Sequence, residues 1–452
     1  MANNLEKIIS LCKRRSFIFQ SSEIYGGFSS CYDFGPLGVE MKNNIKQVWW
    51  NEMIKKHENI VGLDAAILMS PRVWQASGHL TAGFADTLVE CKSCHKRFRS
   101  DEIPGQSQDS PACPECGGEL TKPKKFNLMM KTFVGPVEDE SAITYLRAET
   151  CQGIYVNFQN VLNSMRLKIP FGICQIGKSF RNEITPGDFI YRTREFEQME
   201  MQWFCHPKDA SKHFEYWKKE RLKWYISLGI EKENLRIKEH KKEELAHYAI
   251  AGADIEYRFP SGWKEIEGIH NRGDWDLKNH SKFSGQDLSY FDPSASSGQV
   301  EEKYIPHIIE TSGGVDRSFL VFLINAYQEI EGGRTKTTKA TKEIEILLKL
   351  DKKLAPIKVA VLPLVRNKPE LVKKAKEVYQ ILKPHFLCQY DELGSIGRRY
   401  RRIDETGVPF ALTIDFESLK QDDLTIRDRD TMAQERVKIK DLIKILKEKL
   451  ED

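Results

Sequence analysis

The sequence predicts an α+β chain that carries a cysteine ribbon and ends in a small α/β domain. Three observations predict it. Segments 171–183 and 195–204 alternate apolar and polar residues, which reads as an antiparallel hairpin. Two Cys-x-x-Cys pairs stand at a metal-binding spacing. After Pro356, short apolar strands alternate with amphipathic helices.

The bulk properties limit the classes available. The 452 residues suggest about three domains. Hydrophobic residues make up 40% and charged residues 30%, an ordinary globular balance that excludes disorder as the main state. Lys and Arg number 69 against 65 Asp and Glu, a net charge of +4. Charge therefore neither demands nor excludes a nucleic acid. No apolar run approaches the roughly 18 residues of a membrane helix. The segment Met1 to Ile9 carries Glu6 and Lys7 and has no long apolar core. The expectation is a cytoplasmic chain without signal peptide or membrane contact, whose cysteines need a reading other than disulfides.

Along the chain, Val39, Met41, Ile45, Val48, Trp49 and Met53 follow helical spacing over 36–53, with Pro36 and Gly38 at the start. Residues 61–70 read as a strand ending at Pro71. Cys91 and Cys94 are separated by 18 residues from Cys113 and Cys116. Four thiolates at this spacing close a tetrahedron with no open position, so a structural Zn2+ is expected in a ribbon over 88–122. The other six cysteines show no ligand spacing.

Pro186-Gly187 marks the hairpin turn. One face of the second strand holds Met199, Met201 and Trp203; the other holds Gln198, Glu200 and Gln202. Amides and carboxylates instead of lysines, with arginines at both ends of the loop, suit a wet cleft better than a free surface. Residues 205–260 are Lys/Glu-rich and read as a mostly helical insertion. Residues 304–310 read as a strand, 311–314 as a turn, and Val315, Phe319, Phe322, Leu323, Ala326 and Ile330 as one face of a helix. Residues 332–342 look like a linker. In the terminal domain 357–365, 386–390 and 410–416 read as strands, and 369–383 and 437–450 as helices.

The chemistry concentrates in two places. Arg181, Asn182 and Glu183 end one hairpin strand, and Arg192, Arg194, Glu195 and Phe196 open the next. An arginine fork can hold a phosphate by paired hydrogen bonds, and a phenylalanine can stack on a base. Gly313-Gly314 would let backbone approach a ligand, with Arg317 in the first turn of the following helix.

Together these segments resemble class II aminoacyl-tRNA synthetases. Phe180-Arg181-Asn182-Glu183 with Arg194-Glu195-Phe196-Glu197-Gln198-Met199-Glu200 resembles their motif 2. Gly314-Val315-Asp316-Arg317 resembles motif 3, and the helix before Pro71 resembles the dimerising motif 1. Tyr32 to Gly38, Ser77-Gly78-His79, Phe126 to Met129, Arg147-Ala148-Glu149-Thr150 and Gly397-Arg398-Arg399-Tyr400 are similar to the dimeric glycyl-tRNA synthetases. That resemblance spans nearly the whole chain, and the cysteine knuckles also occur in the family as an insertion. Ala148 and Thr311 stand where many members have proline.

The resemblance implies a class II catalytic domain over 1–340, an antiparallel sheet flanked by helices, and an anticodon-binding domain over 355–452. It implies a homodimer that binds ATP with Mg2+, glycine and tRNA(Gly). Arg181 would hold the α-phosphate, Arg317 the γ-phosphate, and Glu183 adenine or a metal-linked group, with Phe196 stacked on adenine. Tyr191, Arg192, Thr193, Arg194 and Glu195, and Glu265 with Ile266, would line the nucleotide site with Asn182, Gly314, Val315 and Asp316. Arg99, Glu149, Phe196, Glu197, Gln198, Met199, Glu200, Glu310, Thr311, Ser312, Gly313 and Gly314 would form the glycine site. Arg398, Arg399, Arg402, Arg427 and Arg429 are tRNA candidates, although part of this set can equally form ion pairs with Asp404 and Glu405. The competing reading is a non-catalytic, nucleic-acid-binding accessory subunit of the same fold. Such a protein would have no need to keep Arg181, Glu183 and Arg317 together.

Overall fold

The computed structural model describes residues 2–81, 84–100, 103, 112–184, 187, 189–291, 303–334 and 344–451. Its centre is a seven-stranded sheet in the order Leu235–Glu239, Ala251–Phe259, Gly262–Gly273, His307–Gly314, Glu195–Cys205, Phe171–Phe180 and Ile60–Gly62. All neighbours are antiparallel except the edge strand Ile60–Gly62, which runs parallel to Phe171–Phe180. The hairpin forms as the alternation requires, with Glu200 opposite Gln175 and Phe196 opposite Ser179.

Period-two alternation gives this sheet two unlike faces. The back face carries Met199, Met201, Trp203, Ile255, Ile269 and Ile309, all buried. Three helices cover it: Pro36–Trp50, Ala210–Ser227 and Val315–Ala326. Met41, Ile45 and Trp49 of the first pack with Phe319 and Phe322 of the third in one core. Gly38 is required there, because a Cβ would lie 1.9 Å from the carbonyl oxygen of Phe17. The same core encloses an ion pair in which Arg221 Nε donates to Glu267 Oε1 at 2.6 Å and Nη2 to Oε2 at 3.1 Å. The front face is polar and opens into a cleft.

Several expectations are corrected. Residues 205–260 are not a mostly helical insertion: after the helix Ala210–Ser227 they supply two strands of the main sheet. Most of the Lys/Glu content there lies on that helix and in the segments 231–233 and 241–244, while Lys238 and Glu239 fall on the edge strand, where charge is tolerated because one side faces water. Residues 311–314 are the end of the His307–Gly314 strand, not a turn, and helix begins directly at Val315. That helix stops at Ala326, so Ile330 lies on the short strand Tyr327–Ile330. The strand expected over 61–70 is limited to Ile60–Gly62. Pro186 and most of the 332–342 linker lie outside the described residues.

The cysteine segment stands on a three-stranded sheet of Ala85–Glu90, Arg97–Arg99 and Lys124–Asn127. The C-terminal unit is a five-stranded sheet in the order Cys388–Tyr390, Val359–Pro363, Phe410–Ile414, Asp423–Asp428 and Gln434–Lys438. The first three strands are parallel and the last two antiparallel. Helices Pro369–Leu382 and Leu442–Glu451 pack on one face and Ile396–Asp404 on the other. The helix expected over 437–450 therefore starts later, after an edge strand that the charged run Gln434–Lys438 disguises.

Candidate active site

The front face and the loops above it enclose a cleft of about 180 Å³. Its floor is built by cross-strand pairing. Glu200 faces Ser312 on one neighbour and Gln175 on the other, while Glu310 faces Gln202 and His270. Glu149, just before the helix Cys151–Val156, adds a third carboxylate.

These carboxylates differ in environment. Burial works against charge on Glu149, but His79 and Arg272 hold it well below the usual carboxylate range. Its Oε1 accepts from Gln152 Nε2 at 2.9 Å and lies 3.4 Å from His79 Nε2. Burial also opposes charge on Glu310, and Arg272 and His270 again bring its pKa below normal. Arg272 Nη1 donates to both Glu310 oxygens at 3.2 and 3.3 Å, while Nε and Nη2 grip Asp276 at 2.7 and 3.0 Å. Its guanidinium lies 3.7 Å from the Tyr248 ring centroid.

Glu200 makes no ion pair within 4.0 Å among the described residues. Burial, and the charges of Glu310 and Glu149, push its pKa up to about 8. Its Oε1 accepts from Ser312 Oγ at 2.9 Å and Gln198 Nε2 at 2.8 Å. Its Oε2 is buried without a partner in ordinary hydrogen-bond geometry, as are both amide atoms of Gln175 beside it. A buried acceptor left open beside two carboxylates suits a small cationic donor.

The upper wall is cationic and aromatic. The Arg181 guanidinium sits 5.4 Å from the Phe196 centroid and 5.6 Å from that of Phe84, with Nε donating to the Ala148 carbonyl at 3.1 Å. Arg317 lies 4.6 Å from the Tyr191 centroid, and its Nη1 is 3.1 Å from Glu265 Oε1. The Tyr191 hydroxyl donates to the Glu265 carbonyl at 2.9 Å, tying the loop to the sheet.

The pleat divides the residues expected from the sequence. Glu149, Arg181, Glu183, Tyr191, Arg192, Thr193, Phe196, Gln198, Glu200, Glu265, Glu310, Ser312, Gly314 and Arg317 line the cleft. Glu197 and Asp316 reach its rim but are committed elsewhere. Lys42 Nζ lies 2.8 Å from Glu197 and 2.6 Å from Asp316, and Asp316 also accepts from the Glu197 amide at 2.7 Å. Met199, Ile266 and Val315 are in the core behind the sheet, and Thr311 and Gly313 share that back face. Gly313 serves packing: a Cβ there would lie 3.1 Å from Glu267 and 3.3 Å from Met199. Asn182 is fixed by its amide to the Leu128 carbonyl at 2.8 Å, Arg194 Nη1 donates to Ser29 at 3.0 Å, and Glu195 pairs with Lys178. None of these three lines the described cleft. Arg99 is on the ribbon sheet, 3.5 Å from Asp86. A contiguous motif cannot put every member on one side of a strand.

Sequence reasoning gives Arg272, Tyr248 and His270 no role, and it marks His79 only as part of the family-like segment Ser77-Gly78-His79. Arg272 had one signal, the i,i+4 spacing to Asp276; the others are joined to the site only by tertiary contact.

In the ribbon, Cys91 Sγ is 3.5 Å from Cys116 Sγ, and Cys94 Sγ is 3.8 Å from Cys113 Sγ. A tetrahedron with bonds of about 2.3 Å has edges of about 3.8 Å. The donor set and spacing fit zinc.

The tRNA candidates separate sharply. Arg399, Arg427 and Arg429 are almost fully buried. Arg427 makes a bidentate pair with Asp404 at 3.0 and 2.9 Å, and Arg429 donates to the Gly407 and Leu350 carbonyls. Arg399 donates to the Pro363 and Leu364 carbonyls. These three are corrected to structural residues, because each guanidinium is buried and bonded to groups inside the domain. Arg402 is partly exposed and bonded to Asp391, and Arg398 is exposed.

An antiparallel sheet that presents paired arginines over a polar floor, followed by a mixed α/β unit, defines a class II aminoacyl-tRNA synthetase. The class II tRNA synthetase core domain (G, H, P, S and T) matches residues 136–325, and the anticodon binding domain matches 358–449. A solved prolyl-tRNA synthetase from Cryptosporidium parvum shares the fold with a TM-score of 0.63 at 17% identity, over 98% of this chain and 77% of that one. The chain is 50% identical to a glycine–tRNA ligase of Treponema denticola over 99% of its length and 98% of the relative's. It is 51% identical to that of Borrelia garinii over 98% and 97%. The chain belongs to the glycine–tRNA ligase family and is an enzyme that joins glycine to tRNA with ATP as substrate. No helix among the described residues is long and apolar enough to cross a membrane.

Proposed function

We propose that the cleft first condenses glycine with ATP to glycyl-adenylate and pyrophosphate, then passes glycine to the terminal adenosine of tRNA(Gly). The observation that carries this is the placing of Arg181 and Arg317 over one floor with Glu149, Glu200 and Glu310. Attack of the glycine carboxylate on the α-phosphorus needs no protein nucleophile. It needs in-line alignment and stabilisation of charge.

Arg181, between Phe84 and Phe196, holds the α-phosphate, and Phe196 also supports adenine. Arg317 takes the γ-phosphate, leaving Glu265 to contact the nucleotide. Glu183 and Glu265 supply hard oxygen donors at the mouth of the cleft, which fit magnesium. That ion would neutralise charge on the phosphates. Glu149, Glu200, Glu310 and Ser312 receive the glycine ammonium. Selectivity over larger amino acids rests on excluding their side chains, because attraction to a methyl is worth only about 1–3 kcal/mol.

Cys91, Cys94, Cys113 and Cys116 hold a structural Zn2+. Residues 1–340 act as the catalytic domain and 355–452 as the anticodon-binding domain, with the exposed Arg398 and the partly exposed Arg402 toward tRNA. The active form is a cytoplasmic homodimer.

The test is glycine-dependent ATP–pyrophosphate exchange without tRNA, with alanine and serine as controls, on the wild type and R181A. Exchange with glycine alone, lost in the variant, is the expected result. Absence of exchange from the folded wild type, with or without tRNA, overturns the reading in favour of a nucleic-acid-binding accessory subunit.

A further inference from the structure

His240, Asp254 and His270 each bring one ligand atom to within 4.8 Å of the other two. We propose that they form a second metal site, for a divalent first-row transition ion, beside the catalytic cleft.

Cross-strand register builds the trio. Asp254 lies opposite Gly268, and His270 lies opposite Gly252. His240 follows the edge strand and is anchored by its amide to the Gly252 carbonyl at 2.9 Å. Both glycines keep open the space that the rings use. A Cβ at Gly252 would lie 2.7 Å from His240 Nδ1 and 3.0 Å from His270 Cδ2. A Cβ at Gly268 would lie 2.9 Å from His270 Cε1. Any larger residue at either position would displace a ring.

The outer contacts suit a metal. His270 Nδ1 is 3.1 Å from Glu310 Oε2, the carboxylate–histidine arrangement that fixes ring orientation and leaves Nε2 for an ion. Between the ligands themselves, His240 Nε2 lies 2.9 Å from Asp254 Oδ2, and an ion would part this pair to the roughly 3.4 Å that separates neighbouring ligand atoms of a tetrahedral site. A simple ion pair accounts for His240 and Asp254. It accounts neither for the third ligand atom nor for the glycines around both rings. Two imidazoles and one carboxylate suit zinc, cobalt or iron, not magnesium or calcium, which take oxygen ligands. His240 and Gly252 border an open depression of about 660 Å³, and Gly268 and His270 line the catalytic cleft, so the trio is bordered by two openings to solvent.

The two metal sites are separable, because the ribbon offers only thiolates. The experiment loads the chelator-stripped full chain with Zn2+ and with Co2+, then dialyses and measures metal content and cobalt absorption. The wild type is expected to hold about two equivalents. H240A, and the conservative D254N, should hold about one and keep the thiolate-to-cobalt charge-transfer band of the ribbon. One equivalent in the wild type, or two in both variants, overturns the proposal.

Discussion

Arg317 Nη1 lies 3.1 Å from Glu265 Oε1 across the mouth of the cleft, so the arginine assigned to the γ-phosphate already holds a carboxylate before nucleotide binds. Burial opposes the charge of Arg317, but Glu265 and Tyr191 more than restore it, and its pKa is raised. A phosphate oxygen must replace Glu265 there. R317A should lower glycine-dependent pyrophosphate exchange by roughly 10²- to 10³-fold, the usual cost of losing one preorganised charge-stabilising donor. R317K should not restore it, because an ammonium cannot reproduce the planar fork over Tyr191. Exchange kinetics at saturating glycine decide the point; near-normal rates in R317A would remove it from the reaction.

Glu200 gives glycine binding a pH dependence. Its pKa of about 8, raised by burial and by Glu310 and Glu149, leaves it largely protonated at pH 7. The glycine ammonium needs the ionised form, so binding must expel the proton. The KM for glycine should fall by up to tenfold per pH unit as pH rises toward about 8, then level off. The unfolded carboxyl has the lower pKa, so this group takes stability away as pH rises between the two values. E200Q should abolish the slope. A glycine KM that is flat from pH 6 to 8 in the wild type would contradict the assignment.

The hairpin and its two faces were legible because period-two alternation is a local signal: Met199, Met201 and Trp203 against Gln198, Glu200 and Gln202. The clustering of the four cysteines was legible because two Cys-x-x-Cys pairs at a metal-ligand spacing draw their thiols together. The strands Leu235–Glu239 and Ala251–Phe259 were not, since the Lys/Glu-rich helix and loops around them mask a strand pairing that is decided by tertiary partners overriding composition. The same limit hid Arg272. Its guanidinium is stacked on Tyr248 and shared between Asp276 and Glu310, relations that no single segment encodes. Motif matching erred in the other direction at Met199, Thr311 and Gly313, which sit between cleft residues in sequence but behind the sheet in space.

Zinc removal should be felt in the glycine site through a short chain of contacts. The ribbon sheet ends at Asn127, whose Nδ2 donates to the His79 carbonyl at 2.8 Å, and His79 Nε2 stands 3.4 Å from Glu149. C94S, or chelation of the wild type, should remove one zinc equivalent and leave the main sheet folded, because the seven-stranded core makes no use of the knuckles. The KM for glycine should rise severalfold, by about 1 kcal/mol in binding, with a smaller change in kcat. Metal content and steady-state kinetics measured on the same sample check this. Unchanged kinetics after complete zinc loss would show that the ribbon does not support the site.

Arg427 and Arg398 should behave oppositely. Arg427 is buried against Asp404, whose Oδ2 also receives Arg334 Nη2 at 2.5 Å, so one carboxylate joins the C-terminal sheet to residue 334. R427A leaves Asp404 to Arg334 alone in a nearly water-free site and removes two buried hydrogen bonds, which costs about 1–3 kcal/mol. A drop in the unfolding midpoint of the C-terminal domain should follow, and any loss of tRNA binding should track that unfolding. Arg398 is exposed on the Ile396–Asp404 helix. R398A should leave stability within about 0.5 kcal/mol, weaken tRNA binding, and reduce its salt dependence by about one counterion. Denaturant melts and tRNA titrations at two salt concentrations separate the cases. A stable R427A with weakened, salt-shifted tRNA binding would return Arg427 to the RNA surface.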